Sequence, residues 1–257
     1  MATHAVDRRR RILEKVAADQ TVHIAELASE LGVSEMTIRR DVGRLEREGF
    51  LRRTYGGATA HMTRPLELQF NARVLQSAPS KRVIGMRAAE LLRDTGTLFV
   101  GIGTTTEQFA MFLTARPGRT VVTGSLPVAV QLSGRSAHVV VLGGTVLSDD
   151  LACIGPVAAA TVERYRAEVA VLGAAGLSAE HGLCELDDRV ADVSRRMVAG
   201  AEHVVVVADG SKIGETAMAT VVPSSEVGTL VTDPSAPAGE LRELETKGVR
   251  VVLATTR

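Results

Sequence analysis

The stretch SEMTIRRDVGRLEREGFLRRTYGGA, residues 34–58, divides into a helical pattern and a hairpin pattern. Ser34 offers an N-cap hydroxyl, and Ile38, Val42 and Leu45 recur at i, i+4 and i+7 over Glu35 to Glu48, the spacing of one apolar helix face. Gly49 closes that helix. Beyond it, Phe50 to Thr54 and Ala58 to Ala60 flank Gly56 and Gly57, which reads as a short hairpin. Toward the amino terminus, Ile24, Leu27, Ala28 and Leu31 form a second amphipathic pattern stopped by Gly32, and Ile12, Leu13, Val16 and Ala17 form a third within Arg8 to Ala18. Three short helices with a tight turn before the last, then a hairpin, predict a winged helix-turn-helix over residues 1–60. The third helix leaves Met36, Thr37, Arg39, Arg40, Arg44 and Arg47 off its apolar stripe. Arginine meets both phosphate oxygens and the major-groove edge of guanine, so this face, with Arg52 and Arg53 of the hairpin, is a candidate DNA-reading surface.

These residues resemble the signature of the DeoR family of bacterial transcription regulators, in which S-x-x-T-I-R-R-D is followed by L-x-x-x-G-x-L-x-R and a Gly-Gly-Ala wing. Ser34, Thr37, Ile38, Arg39, Arg40, Asp41, Leu45, Gly49, Leu51, Arg53, Gly56, Gly57 and Ala58 fall on that pattern. The resemblance implies DNA contacts from Ser34, Thr37, Arg39, Arg40, Arg44, Arg53 and Tyr55. Two positions depart from it. Tyr55 stands where histidine is common, and its hydroxyl still donates to a phosphate. Gly43 lies inside the helix, where glycine costs about 1 kcal/mol relative to alanine.

Residues 61–79, with Pro65 and Pro79, read as a linker containing a partial helix. From Ser80 an amphipathic helix to Arg93 precedes apolar strands expected near 97–101, 119–123, 138–143, 168–173, 203–208, 228–232 and 249–254, alternating with helices. HVVVLGG (138–144) and HVVVVAD (203–209) are apolar nearly throughout, as parallel strands covered on both faces require. The predicted fold class is α/β: an N-terminal winged helix-turn-helix domain, then a mostly parallel open α/β sheet domain over 80–257.

In that second domain GIGTTTEQFA, residues 101–110, runs from a strand through a glycine turn into a helix, a geometry that leaves backbone N–H groups free for an anion. Thr104 and Glu107 also have capping-box spacing, which would satisfy the same donors without a ligand. The family resemblance continues here, because DeoR sensors are related in fold to ribose-5-phosphate isomerase, whose G-x-G-T-G-S-T phosphate loop is similar to Gly101–Thr106. DeoR sensors more often carry Asp at the position of Gly101. Ligands of open α/β sheets bind outside the carboxyl ends of the strands. Those ends carry Gly103, Thr104, Thr105 and Thr106, then Thr123 and Ser125, Gly143–Thr145, Gly173–Gly176, and Asp209–Lys212. Hydroxyls, small residues and Lys212 suit a phosphorylated sugar. Ser125 has a second reading as the cap of a helix entered through Pro127, and Arg195, in ADVSRRM, matches an arginine of the DeoR family and has a second reading as an exposed helix ion pair.

The chain of 257 residues carries 30 basic and 30 acidic side chains, 11 and 9 of them in residues 1–60. That balance excludes a polycationic protein and leaves DNA contact to local placement. Two cysteines, Cys153 and Cys184, make no disulfide framework, and His181 with Cys184 has no second pair to complete a metal site. No metal and no cofactor are expected. The absence of a secretory pattern at the amino terminus and of any long apolar run favours the cytoplasm. The expected function is a DNA-binding transcriptional regulator, a repressor of a carbohydrate operon controlled by a sugar phosphate and acting as a homo-oligomer. The alternative is a sugar-phosphate isomerase with a DNA-binding head. It needs a carboxylate base, and the isomerases supply acids in a D-G-A-D-E stretch where GAAGLS here has none, although Glu180 and Glu185 lie near. A dinucleotide sensor lacks the third glycine of G-x-G-x-x-G and an acid at Thr123–Gly124.

Overall fold

The structure, a computed structural model, describes residues 5–19, 21–47, 51–54, 56–59, 73–74, 76–135, 137–148 and 150–255. They group into two compact units, Met1–Gln76 and Ser77–Arg257. Most of the predicted linker lies outside the described residues, as do Gly49 and Tyr55.

In the first unit, helices α1 (Ala5–Asp19), α2 (Ile24–Leu31) and α3 (Glu35–Arg47) accompany strands β1 (Thr21–His23), β2 (Arg52–Thr54) and β3 (Gly57–Thr59). The sheet order is β1-β3-β2, antiparallel throughout. Strand β1 is too short to be legible in the sequence; it exists because the wing supplies β3 as a partner. The wing lies so close that a Cβ on Gly57 would come 2.2 Å from the Val22 carbonyl oxygen, which restricts that position to glycine. Ile12, Val16, Ile24, Leu27, Ile38, Val42, Leu45 and Leu51 make one core, as their spacing predicts. Asp41, 5% exposed, turns inward from α3 and accepts from Arg8 Nε of α1 at 2.5 Å.

The second unit holds a seven-stranded sheet. Its strands are β4 (Thr97–Val100), β5 (Arg119–Thr123), β6 (Ala137–Val141), β9 (Ala167–Leu172), β12 (Ala201–Val207), β14 (Thr229–Thr232) and β15 (Arg250–Leu253), in the order β15-β14-β12-β9-β4-β5-β6. Every neighbouring pair is parallel. These are the seven predicted strands. Leu98, Val100, Val169, Val171, Val205 and Val207 pack on one face with helices α4 (Ala78–Leu91), α5 (Thr104–Phe112) and α6 (Leu126–Leu132). Phe99, Ala170, Leu172, Val204 and Val206 face helices α7 (Pro156–Val162), α8 (Asp188–Ala199) and α9 (Ala238–Thr246). Alternation along continuous apolar strands thus covers both faces, the requirement for a buried parallel sheet.

Two smaller sheets have no counterpart in the sequence pattern: a hairpin of β7 (Thr145–Leu147) and β8 (Ala152–Ile154), and an antiparallel trio of β10 (Gly176–Ser178), β11 (Gly182–Glu185) and β13 (Ala219–Val222). Their strands are three or four residues long, below the length at which a period can be read. Arg119, 1% exposed at the amino end of β5, donates to the carbonyls of Arg93 (2.5 Å), Thr95 (3.0 Å) and Thr114 (2.6 Å). A cation there satisfies carbonyls that follow both α4 and α5. The two helices therefore end together at the amino edge of the sheet and begin together at its carboxyl edge.

Candidate functional site

On α3 the structure agrees with the sequence pattern. Ser34 Oγ accepts from Thr37 N at 3.3 Å and lies 3.0 Å from Thr37 Oγ1, so both hydroxyls fix the first turn. Ile38, Asp41, Val42 and Leu45 are buried, while Met36, Arg39 and Arg40 are exposed opposite them and Arg44 is exposed at the flank. Arg39 pairs with Glu35 at 3.1 Å, an i,i+4 contact that in water is worth only tenths of a kcal/mol and yields readily to a phosphate or base. Arg53 is held at its backbone, N donating to Glu46 Oε1 at 3.0 Å. Its Nη1 lies 3.8 Å from where a Cβ on Gly43 would be, so the wing arginine reaches the outward face of α3 over that glycine.

The second candidate lies at the carboxyl edge of the large sheet. The chain runs outward through β4, β5 and β6, then crosses back to place β9 on the other side of β4. Helices leave β4 and β9 toward opposite faces, which opens a crevice between them. GIGTTT forms one wall. Gly103 has φ +129 and ψ 163, a conformation open only to glycine, and it is the residue from which α5 starts. The capping box is corrected by this geometry: the N-cap is Gly103, no side chain caps the helix, and Thr106 Oγ1 turns back to donate to the Gly103 carbonyl at 2.8 Å. Glu107 does not reach back either. Its Oε2 is buried without a hydrogen-bond partner, and burial pushes its carboxyl pKa up. The first backbone N–H of α5 with an acceptor is that of Glu107, which donates to the Gly103 carbonyl; among the described residues those of Thr104 and Thr105 stand unbonded at the amino end of the helix, while Thr106 is 0% exposed.

The floor is the end of β9, Gly173-Ala-Ala-Gly176, packed so closely that a Cβ on Gly173 would sit 3.0 Å from the Ile102 carbonyl oxygen. Leu172 fills the space beside Gly101, where a Cβ would come 2.9 Å from Leu172 Cδ2, so this leucine occupies the volume an aspartate there would need. The far wall is the turn after β12, a 3₁₀ helix Gly210–Lys212 with Lys212 half-buried. Two strand spacings separate it from the GIGTTT wall, about 9–10 Å. Asp233, at the end of β14, accepts from Gly210 N (2.7 Å), Ser80 Oγ (2.9 Å) and Ser235 Oγ (3.0 Å). Burial alone would raise its pKa, but these donors outweigh burial and hold it low.

Lys81 is the residue that sequence reasoning missed. It is 5% exposed in the first turn of α4. Gly85 of α4 abuts Gln108 and Phe109 of α5, at 2.6 and 2.7 Å from an added Cβ, and the two helices run in the same direction. One turn earlier, Lys81 therefore comes level with Thr104. The sequence does carry a signal for it: Lys81 occupies the stripe of Ile84, Gly85 and Ala88, a phase reserved for buried residues.

Thr123 and Ser125 do not line the opening. Both are 0% exposed; Thr123 Oγ1 donates to Val100 O at 2.7 Å and accepts from Ser125 N, while Ser125 caps α6 through Val128 N at 3.3 Å. The β7–β8 hairpin roofs them, with Cys153 N donating to Gly124 O at 2.7 Å and Leu126 N to Leu151 O at 2.9 Å. Arg195 donates to Thr220 O and pairs with Asp188, the structural alternative anticipated for it. Glu180 is exposed on the β10–β11 turn, and the Cys184 thiol is buried against Thr216 and Thr220. Among the described residues no three His, Cys, Asp or Glu side chains converge as a metal site, and no helix is long and apolar enough to cross a membrane.

Comparison with known proteins joins the two halves. Residues 8–64 match the DeoR-like helix-turn-helix domain and residues 76–234 the DeoR C terminal sensor domain. The HTH-type transcriptional regulator GlpR of Haloferax volcanii is 32% identical over 98% of each chain. The glycerol-3-phosphate regulon repressor of Escherichia coli K12 is 29% identical over 94% of this chain and 96% of that one. Among solved structures, ribose 5 phosphate isomerase A from Neisseria gonorrhoeae aligns over 51% of this chain and 52% of its own with a TM-score of 0.37 and 18% identity, too loose a likeness to argue from. The chain is a member of the DeoR family of transcription regulators, a DNA-binding helix-turn-helix unit joined to a DeoR-type sensor unit.

Proposed function

We propose that the chain represses a carbohydrate-metabolism operon as a homo-oligomer, probing DNA with α3 and the wing, and leaves it when a phosphorylated sugar binds the sensor unit. The reading of the sensor half is supported by the β4/β9 switch point, where the unbonded N–H groups that begin α5, the first turn of α4 bearing Lys81 and the 3₁₀ turn bearing Lys212 stand at the carboxyl edge of the sheet around small residues. The phosphate sits on the N–H groups of Thr104 and Thr105, where the helix dipole adds partial positive charge. Lys212 neutralises it from the opposite wall and Lys81 from beside Thr104. Gly103 permits the close approach, and the Thr104 and Thr105 hydroxyls meet sugar oxygens. Thr106, Thr123 and Ser125 support the walls from behind. Kinship with a glycerol-3-phosphate regulon repressor agrees with a phosphorylated ligand and with repression.

The site binds without turnover. An isomerase needs a carboxylate at the reacting carbons, whereas Asp209 and Asp233 are engaged by Ser211, Gly210, Ser80 and Ser235. A panel of phosphorylated sugars tested for a shift in melting temperature decides the reading: a ligand at a hundred times its Kd adds about 2.7 kcal/mol. The Lys212→Gln protein is expected to show about half that shift or less at the same concentration while keeping the parent melting temperature without ligand. No shift with any phosphorylated sugar contradicts the proposal.

A further inference from the structure

Met36 is the one exposed large apolar side chain among the described residues of the first unit, at 66% exposure. It sits one residue into α3. With Ile38, Val42 and Leu45 buried, the 100° step per residue puts Met36, Arg39, Arg40 and Gly43 on the opposite side at i, i+3, i+4 and i+7. Two exposed guanidinium groups therefore flank a thioether at the amino end of the helix, the end that meets base edges when a helix-turn-helix docks. Arginine answers phosphates and guanine; it gains nothing from the C5-methyl group of thymine, the one apolar feature of the major groove. Methionine, unbranched and polarizable, adapts to such a methyl at little cost in shape.

Resting on the operator reading above, we infer that Met36 determines specificity by packing on a thymine methyl in each half-site. The charge of its neighbours selects DNA as the occupant, because an apolar protein partner would have to bury the Arg40 guanidinium and the Arg39–Glu35 pair, at the cost of desolvating both.

DNA selected from a random-sequence pool by the full-length parent protein supplies the probe. Each thymine of the selected half-site is then replaced singly by deoxyuridine, which removes only the methyl. One replacement is expected to weaken parent binding about fourfold, the effect of losing burial of one methyl-sized group. The same replacement leaves Met36→Ala unaffected, while Met36→Leu retains the dependence. Both variants fold, since the side chain is exposed. If every deoxyuridine site binds the parent like thymine, or Met36→Ala suffers the same fourfold weakening, the inference is wrong. A pool that enriches no sequence at all overturns the operator reading itself and this inference with it.

Discussion

Glu107 shows how one residue departs from its sequence pattern. The spacing Thr104 to Glu107 is that of a capping box, yet Gly103 occupies the cap and leaves the carboxylate buried with one oxygen unpartnered. Since burial raises its folded pKa above 4.5, the protonated form is favoured by folding. Its contribution is full below the unfolded pKa and is lost as pH rises through the folded one. Glu107→Gln is therefore expected to raise the melting temperature at pH 7 and to remove a decline in stability on going from pH 4 upward, both readable by thermal denaturation across pH. A lower melting temperature at pH 7 would mean that the carboxylate has a partner in solution. Gly43 offers a second residue-scale test. Among the described residues an alanine Cβ there meets only Arg53 Nη1, at an ordinary contact distance of 3.8 Å. Gly43→Ala should thus gain about 0.5–1 kcal/mol of stability from helix propensity, and a decrease would show that the wing arginine packs more closely than this.

At the scale of elements, α3 is expected to carry DNA binding through its outward arginines. Replacing both Arg39 and Arg40 by alanine should weaken operator binding by about 1–3 kcal/mol for each base edge no longer read, and lower the salt slope by roughly one for each phosphate no longer neutralised. Electrophoretic mobility shift at several salt concentrations separates these, and unchanged affinity in a folded double variant would remove α3 from the interface. The strands of the large sheet, and helices with a continuous stripe, are legible in the sequence because their period is set by backbone geometry and their apolar runs are long. The seven strands and α1 to α3 are of this kind. Strands β1, β7, β8, β10, β11 and β13 are not, because what makes them strands is a partner brought from elsewhere in the chain. The site is legible to the same degree. Gly103 to Thr105 and Lys212 lie beyond strand ends at the carboxyl edge of the sheet, as the sequence places them, whereas Thr123 and Ser125 are covered by a hairpin the sequence does not announce. Lys81 looks like one more helical lysine until α5 packs beside it.

For the whole molecule, the amino edge of the sheet is closed by Arg119 and the carboxyl edge is left to function. Asp233 ties the turn bearing Lys212 to the first turn of α4, the helix with which the chain enters the sensor unit from the linker side. Helix-turn-helix readers commonly bind as dimers, since one short helix discriminates too few bases. Sedimentation should accordingly find at least a dimer at micromolar concentration, and a monomer with and without DNA would exclude the dimeric reader.

Control of DNA binding by a phosphorylated sugar is decided by titrating the full-length protein, bound to its selected DNA, with the sugar that raises its melting temperature, and repeating the titration with Lys212→Gln. The sugar is expected to release the parent from DNA in a saturable way, whereas Lys212→Gln binds the same DNA equally well without sugar and needs at least about tenfold more sugar for release, as expected when a charged hydrogen bond worth about 1.5–3 kcal/mol is removed. Release of both proteins at the same sugar concentration, or of neither, would show that the crevice does not govern DNA binding.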